Sequence, residues 1–361
     1  MATEHFLDPC EALGVERYES LRNVLSESLR SASRTSDAIV NELSIAEFSE
    51  NEFRELQFEH ARTGEQWAYL RLTSGKYVAV DQVPHCLDPE NTAAAVVFPA
   101  IHSRLVAWWL VHSWRIQEFI ECAASSLLDD WNPSVSALSA RGLLEQVGCL
   151  FYEVSIVEEA WREAKTFPSN NRESRIHARF NPLLFQLAFA SRGLPTSGAL
   201  RPATNAQTYV DKLARFTDDK RYHAWYNWLS NAAHPAVGSR IVYATQPLVH
   251  NHSRLMRRRF SRLPTSIRQN SDVDLTVVHN AADATVELYG ISSHLLDFGL
   301  RIVDDFCLTT ASANLTTGSS WRQLVPVRGN RLCPCGNGKW RSCGHRWGAA
   351  APTLPKPRRE S

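Results

Sequence analysis

Two long segments with helical periodicity constrain the fold of this chain more than any other feature of its sequence. Segment 101–129 carries a Trp-rich apolar surface, and segment 137–165 repeats apolar residues at intervals of three and four. Such spacing places apolar side chains on one face of a helix, and that face must be buried against another element. The two segments therefore predict two long helices that pack together in a bundle.

Shorter periodic segments indicate that the rest of the fold is also mainly α. Further helices are expected at about 207–234 and 281–308, and one more within an irregular connection at 166–205. Residues 10–60 also have helical spacing, whereas 66–80 alternates apolar and polar residues around a Ser-Gly turn, as a β-hairpin does. We expect a bundle of four main helices with a small β-hairpin decoration.

Composition divides the chain into five parts. Residues 1–95 form an N-terminal helical and hairpin region, and residues 96–308 form the helical bundle. The segment 309–327 begins with TTASANLTTGSS, a run of small uncharged residues that we interpret as a linker. A Cys/His-rich module at 328–348 and a basic tail at 349–361 complete the chain.

Neither a membrane span nor a secretory signal is expected. The uncharged run from Leu105 to Trp114 is far shorter than the roughly 20 residues that cross a bilayer. Near the start, Glu4 and Asp8 stand where a secretory signal would carry positive charge and an apolar run. We therefore expect a cytoplasmic protein.

The net charge of +1 conceals opposite charges at the two ends of the chain. Residues 1–60 contain 13 acidic and 5 basic residues, whereas residues 322–361 contain 9 basic residues and 1 acidic residue. The basic end predicts contact with a nucleic acid or an acidic protein surface, or pairing with the acidic end of the same chain.

The stretch CPCGNGKWRSCGH at 333–345 predicts a metal site. Its candidate ligands are Cys333, Cys335, Cys343 and His345. Zn²⁺ favours four tetrahedral thiolate and imidazole ligands, and Cys₃His is one of its structural combinations. Four protein ligands leave no position for a reacting water, so the pattern indicates structural Zn²⁺. The other five cysteines are scattered singly, and we expect free, mainly buried thiols.

This stretch resembles the SEC-C motif, a small zinc-binding module that ends the SecA translocation motor and is appended to many other bacterial proteins. The resemblance covers about 328–348 and departs from the family at Gly344, which separates two final ligands that are usually adjacent. It implies a docking module that contacts a protein or nucleic-acid partner through the basic end. The chain has no G-x-x-x-x-G-K-[ST] phosphate loop, so no motor activity is expected.

A polar stripe on the helix expected at 207–234 provides candidate catalytic residues. Tyr226, Ser230 and His234 follow one another at intervals of four, which places them on one side of a helix. Arg141 and Glu145 have the same spacing on the helix expected at 137–165. These five residues either form a functional cleft or are structural, with His234 as a helix-end residue and Arg141 and Glu145 as a surface ion pair.

Three segments around these residues resemble the HEPN superfamily of helical proteins, namely ARGLLE (140–145), NAQTYVDKLAR (205–215) and YNWLSNAAHPA (226–236). The resemblance implies a helical domain that often pairs as a homodimer. In many members it also implies ribonuclease activity from an Arg followed by a His after four to six residues. Here positions 227–229 hold Asn227, Trp228 and Leu229 where that Arg would stand.

Two function hypotheses follow. The preferred one is a zinc-containing adaptor or binding protein, because the Arg-His pair is missing from the expected helix. The alternative is a metal-independent endoribonuclease of the toxin or phage-defence type, in which Arg141 would supply the cation and His234 would move a proton.

Overall fold

The computed structural model describes most of the chain. The described residues are 8–42, 45–63, 67–81, 92–191, 201–234, 239–240, 243, 275–310, 329–333, 336 and 338–355. Most of the expected linker at 309–327 and the expected metal ligand Cys335 lie outside these residues.

The core of the fold is a bundle of long helices, as the periodicity predicts. Its main members are α4 (Thr92–Leu128), α5 (Pro133–Ala164) and α9 (Thr276–Thr310), and each packs against the other two. Along α5, Leu144, Val147, Leu150 and Val154 are fully buried. The prediction of a mainly α helical bundle is therefore confirmed.

Helix α5 lies at the centre of the bundle, and local sequence signals define its start. Pro133 occupies the first turn, and the side chain of Asn132 accepts a hydrogen bond from the backbone N–H of Val135. This is a favourable N-terminus, because proline needs no hydrogen-bond partner there and Asn satisfies a free N–H group. At Gly148, an added Cβ would lie 3.0 Å from the backbone of Tyr209, so this glycine permits a close approach of the helix Ala206–Thr217, which carries Tyr209.

The helix expected at 207–234 is divided in two. Helix α7 (Ala206–Thr217) ends at Asp218, which has the left-handed backbone conformation, and α8 (Arg221–Ala233) begins three residues later. The Asp219 carboxylate accepts a hydrogen bond from the backbone N–H of Arg221, which helps to start the second helix. Both helices pack against α5. Helix α6 (Arg172–Phe189) fills the connection that was expected to hold one helix.

The N-terminal region combines helices with a small sheet. Its elements are α1 (Pro9–Leu13), α2 (Val15–Ala32), β1 (Glu47–Phe48), α3 (Glu50–Thr63), β2 (Trp67–Arg71) and β3 (Tyr77–Asp81). Strands β2 and β3 form the expected hairpin, and β1 adds a third antiparallel strand to β3. Helix α2 packs against α4 and α9, so this region is joined to the bundle.

Two short strands and the segment with the expected metal ligands complete the described fold. Strands β4 (Ala190–Ser191) and β5 (Arg201–Pro202) pair in parallel. Near the C-terminus, Leu332 pairs with Lys339 in an antiparallel bridge, and residues Trp340–Ser342 form a 3₁₀ turn. Helix α9 ends at Thr310, two residues beyond the helix end expected at 308. No described helix carries an apolar stretch that could cross a membrane.

Candidate functional site

The C-terminal residues place three of the four expected metal ligands together. The Nδ1 atom of His345 lies 3.0 Å from Cys333 Sγ and 3.3 Å from Cys343 Sγ. Both cysteines are buried, and the ligand atoms of all three residues lie within 4.8 Å of one another. We call residues 329–348 the Cys/His module. Its two sulfurs and one imidazole nitrogen could hold a metal ion.

Glycines allow the chain to fold back around this cluster. Gly336 has φ 78° and Gly338 has φ 113°, which are conformations that favour glycine over residues with a Cβ. The backbone N–H of Cys333 donates to the carbonyl of Gly338, which closes the turn. Cys335, expected as a fourth ligand, lies outside the described residues.

The imidazole of His345 also faces a carboxylate. Its Nε2 atom lies 3.8 Å from Asp305 Oδ1, on the side opposite the two sulfurs. Metal-binding histidines commonly direct their second nitrogen at such a carboxylate, which fixes the orientation of the ring. Burial lowers the pKa of His345, although the charge of Asp305 opposes that change, and the neutral ring is the form that binds metals.

A buried ion pair fastens the Cys/His module to the helical bundle. The Nζ atom of Lys165, just after α5, lies 2.9 Å from Asp305 Oδ2 on α9, and only 1% and 4% of the two side chains are exposed. The same ammonium donates to the carbonyls of Gly344 at 2.8 Å and Ala350 at 3.5 Å. One buried cation therefore connects two helices of the bundle with the chain around the metal ligands.

Aromatic contacts extend this attachment. The Trp347 ring lies about 6 Å from the rings of Trp161 and Phe98, and the Arg172 guanidinium stacks 4.3 Å above it. Trp340 donates from its indole N–H to the carbonyl of Leu308. Beyond the module, Ala351 and Leu354 pack against the main core, although both lie in the segment that was predicted to be a basic tail.

We expect substitution of Cys343 with serine to weaken metal binding by at least about 100-fold, because loss of a direct ligand should exceed the effect of losing a supporting contact. The measurement is the metal content of the purified full-length protein, followed by competition with a chelator. Cys122→Ser is the matched control, since Cys122 is exposed on α4. Equal metal content in the two variants would contradict the assignment of Cys343 as a ligand.

The structure brings together three of the five predicted catalytic residues. Arg141 Nη2 lies 3.0 Å from Glu145 Oε1, and the Arg141 guanidinium lies 5.6 Å from the centre of the Tyr226 ring. Ser230 is half-buried on the same helix as Tyr226. Among the described residues, the buried atoms Arg141 Nε and Ser230 Oγ have no hydrogen-bond partner.

His234 has a different setting. It is exposed at the end of α8, where its backbone N–H donates to the carbonyl of Ser230. Within the part of the chain that the structure describes, no ion pair or hydrogen bond joins its imidazole to Arg141 or Glu145. The catalytic role of these residues stays a prediction.

A buried polar network that the sequence analysis missed lies between α4 and α5. His112 Nε2 is 2.8 Å from Glu153 Oε2, and Gln146 Nε2 is 2.8 Å from His112 Nδ1. The indole of Trp108 donates to Glu153 Oε2 at 2.8 Å, and the Cys149 thiol donates to Glu153 Oε1 at 3.2 Å. Two features of the sequence could have indicated this network: His112 interrupts an apolar run, and Cys149 and Glu153 are four residues apart.

Burial and hydrogen bonding act in opposite directions on the acidic groups of this network. Burial alone would raise the pKa of Glu153, but hydrogen bonds from His112, Cys149 and Trp108, together with the charge of His112, hold that pKa below its usual value. Burial and the Glu153 charge raise the pKa of the Cys149 thiol. The carboxylate is therefore the charged member of the pair, and the thiol keeps its proton.

The network faces a cavity of about 630 Å³. His112, Cys149 and Glu153 line it, together with Arg104 and Arg115 from α4. Glu145, one of the predicted catalytic residues, contributes to the same wall. Polar groups thus converge on a partly open cavity at the side of the bundle, and concave spaces with convergent polar groups are the usual setting of a ligand site.

Comparisons with protein-family models, with curated proteins and with solved structures found no significant match. The SEC-C and HEPN-like resemblances therefore stay predictions. The proposed function therefore rests on the geometry of the described residues.

Proposed function

We propose that this chain is a zinc-containing binding protein whose Cys/His module presents a basic surface to an acidic protein partner. The observation that carries the proposal is the exposure of four cationic side chains on the module. These are Arg331, Lys339, Arg341 and Arg346. No carboxylate of the described residues forms an ion pair with any of them, so their charges are available for a partner.

The donor set supports zinc as the metal. Two thiolates and one imidazole converge, and Zn²⁺ accepts this combination in structural sites. Cys335 would complete a tetrahedral Cys₃His set and leave no position open for water. In this role the metal folds the module and does not take part in a reaction.

The attachment of the module to the bundle decides which of its faces can bind. Trp347, Trp340 and Gly344 contact the bundle, whereas the four cationic residues are exposed. The bundle therefore holds the basic surface in a fixed orientation. A preoriented surface loses less conformational entropy on binding than a loose tail does.

An exposed aliphatic residue favours a protein partner over a nucleic acid. Leu332 is 72% exposed and pairs with Lys339 across the antiparallel bridge. Apolar contact next to basic side chains suits an acidic segment that also carries apolar residues, and arginine is enriched in protein interfaces. A phosphate backbone would use the charges but would gain little from Leu332.

We expect a labelled peptide of repeating Glu-Glu-Leu-Leu to bind the full-length protein, measured by fluorescence anisotropy at low salt. Replacing Arg331, Arg341 and Arg346 with glutamine should weaken binding about ten-fold, from three exposed ion pairs of about 0.5 kcal/mol each. The matched control replaces three other exposed arginines with glutamine, namely Arg22 and Arg30 in α2 and Arg34 just after it. Leu332→Ser should weaken binding of this peptide but leave binding of a Glu-only peptide unchanged.

Single-stranded RNA is the second probe, and its length is checked on a gel after incubation. Tighter binding of RNA than of the peptide, with a steep salt dependence, would replace the protein partner with a nucleic acid. Cleavage of the RNA by wild type but not by His234→Ala would favour the ribonuclease alternative. Equal peptide affinity in the module variant and the α2 control would overturn the proposed surface.

A further inference from the structure

We infer that His112, Cys149 and Glu153 form a second metal site, for a divalent transition metal such as Zn²⁺, which opens into the cavity between α4 and α5. The site is separate from the Cys/His module, and it does not depend on the proposed function. It draws on a nitrogen, a sulfur and a carboxylate oxygen that lie within 4.8 Å of one another. The ion would bind Cys149 as the thiolate and displace the thiol proton to solvent.

The spacing of the three ligands fits one ion. His112 Nε2 and Glu153 Oε2 are 2.8 Å apart, and Cys149 Sγ and Glu153 Oε1 are 3.2 Å apart. In a tetrahedral zinc site, bonds of about 2.0–2.3 Å separate neighbouring ligand atoms by roughly 3.3–3.8 Å. Both contacts lie within about 1 Å of these separations, and all three ligand atoms lie within 4.8 Å of one another, so changes of side-chain torsion on the order of 1 Å would admit an ion.

Rigid elements hold the ligands. Cys149 and Glu153 are one helical turn apart on α5, and His112 comes from α4, which packs along α5. His112 is buried, and Glu153 and Cys149 lie in the same interface. A site on two packed helices is largely formed before the metal arrives, so little conformational entropy is lost when it binds.

Groups around the ligands support metal binding. Gln146 contacts His112 Nδ1, and rotating its amide by 180° would place its oxygen there to accept a hydrogen bond from the ring. That tautomer frees His112 Nε2 as a metal ligand. Trp108 donates to Glu153 Oε2 and holds the carboxylate in place, with Oε2 beside His112 and Oε1 beside the Cys149 thiol, so that each oxygen lies next to another ligand.

The cavity distinguishes this site from the Cys/His module. Three protein ligands leave one tetrahedral position open, and His112, Cys149 and Glu153 all line the cavity of about 630 Å³. Arg104 and Arg115 line the same space. The open position therefore suits a water molecule or a small anion, whose charge the arginines would neutralise.

The first test measures zinc in the purified full-length protein. Cys149→Ser should contain one zinc ion fewer per chain than Cys122→Ser, which changes an exposed cysteine on α4. The variant is conservative in size, and circular dichroism checks that the helices are retained. Equal zinc content in the two variants would overturn the second site.

A second measurement isolates this site from the module. Cys333→Ser combined with Cys343→Ser disables the module, and added Zn²⁺ should still raise the Tm of that protein by at least about 3 °C. Adding Glu153→Gln or Cys149→Ser should abolish the increase. Cobalt provides a signature, because a Co²⁺ site with one thiolate gives a sulfur-to-metal charge-transfer band that Cys149→Ser must remove. A band or a Tm increase that persists without Cys149 would contradict the inference.

Discussion

Replacing Lys165 with methionine is expected to lower the free energy of unfolding by about 3–5 kcal/mol. The substitution keeps the length of the side chain but leaves the Asp305 carboxylate buried without its ion-pair partner. It also removes the donor to the carbonyls of Gly344 and Ala350. Unfolding in guanidinium chloride, followed by circular dichroism, measures the change.

A nearby charge provides the matched control. Arg162 lies one turn before Lys165, and 56% of its side chain is exposed. Its Nη1 atom lies 3.7 Å from Glu158 Oε1, so this ion pair is longer than the one between Lys165 and Asp305. Arg162→Met should therefore change stability by less than about 0.5 kcal/mol. Adding Asp305→Asn to Lys165→Met should recover part of the loss, because the unpaired charge is then gone. Equal effects of Lys165→Met and Arg162→Met would show that the buried pair does not stabilise the fold.

The long helices could be predicted because their signals are local. In α4 and α5, apolar residues recur at helical intervals over more than twenty residues, and such a pattern has few alternatives. The same holds for the hairpin of β2 and β3, where alternation surrounds a Ser-Gly turn. The third strand, Glu47–Phe48, was missed because two residues are too short to show a period.

The break between α7 and α8 shows where periodicity fails. Apolar residues recur at helical intervals on both sides of the polar run TDDKR at 217–221, in which Asp218 has φ 53° and ends the first helix. Aspartate tolerates the left-handed conformation better than most residues, and neither glycine nor proline marks the position. Five polar residues can also form the exposed turn of a continuous helix, so the two helices were predicted as one.

The candidate sites also differ in whether a local sequence pattern indicates them. Cys333, Cys343 and His345 could be chosen because ligands within thirteen residues have a recognisable spacing. Lys165 and Asp305 are 140 positions apart, and nothing local to either residue indicates a buried pair. His112 likewise meets Glu153 only because α4 and α5 pack together. Contacts of this kind depend on tertiary structure, which one sequence does not encode as a local pattern.

Trp161→Ala is expected to lower the free energy of unfolding by about 3–5 kcal/mol, because Trp161 is fully buried and its ring fills space that neighbouring side chains cannot close. The ring contacts Phe306 at 4.9 Å and Trp347 at 6.0 Å between centroids, and its indole N–H donates to Asp305 Oδ2 at 2.7 Å. The substitution therefore weakens both the core of the bundle and the attachment of the Cys/His module.

Two further variants separate these contributions. Trp161→Phe keeps most of the aromatic packing but removes the donor to Asp305, so it should cost only about 1–3 kcal/mol. Trp228→Ala alters a tryptophan that is 39% exposed on α8, and it should cost less than about 1 kcal/mol. If Trp161 attaches the module, Trp161→Ala should also speed removal of metal by a chelator, whereas Trp228→Ala should not. An unchanged rate in Trp161→Ala would mean that the metal ligands keep their geometry without the contact between Trp161 and Trp347.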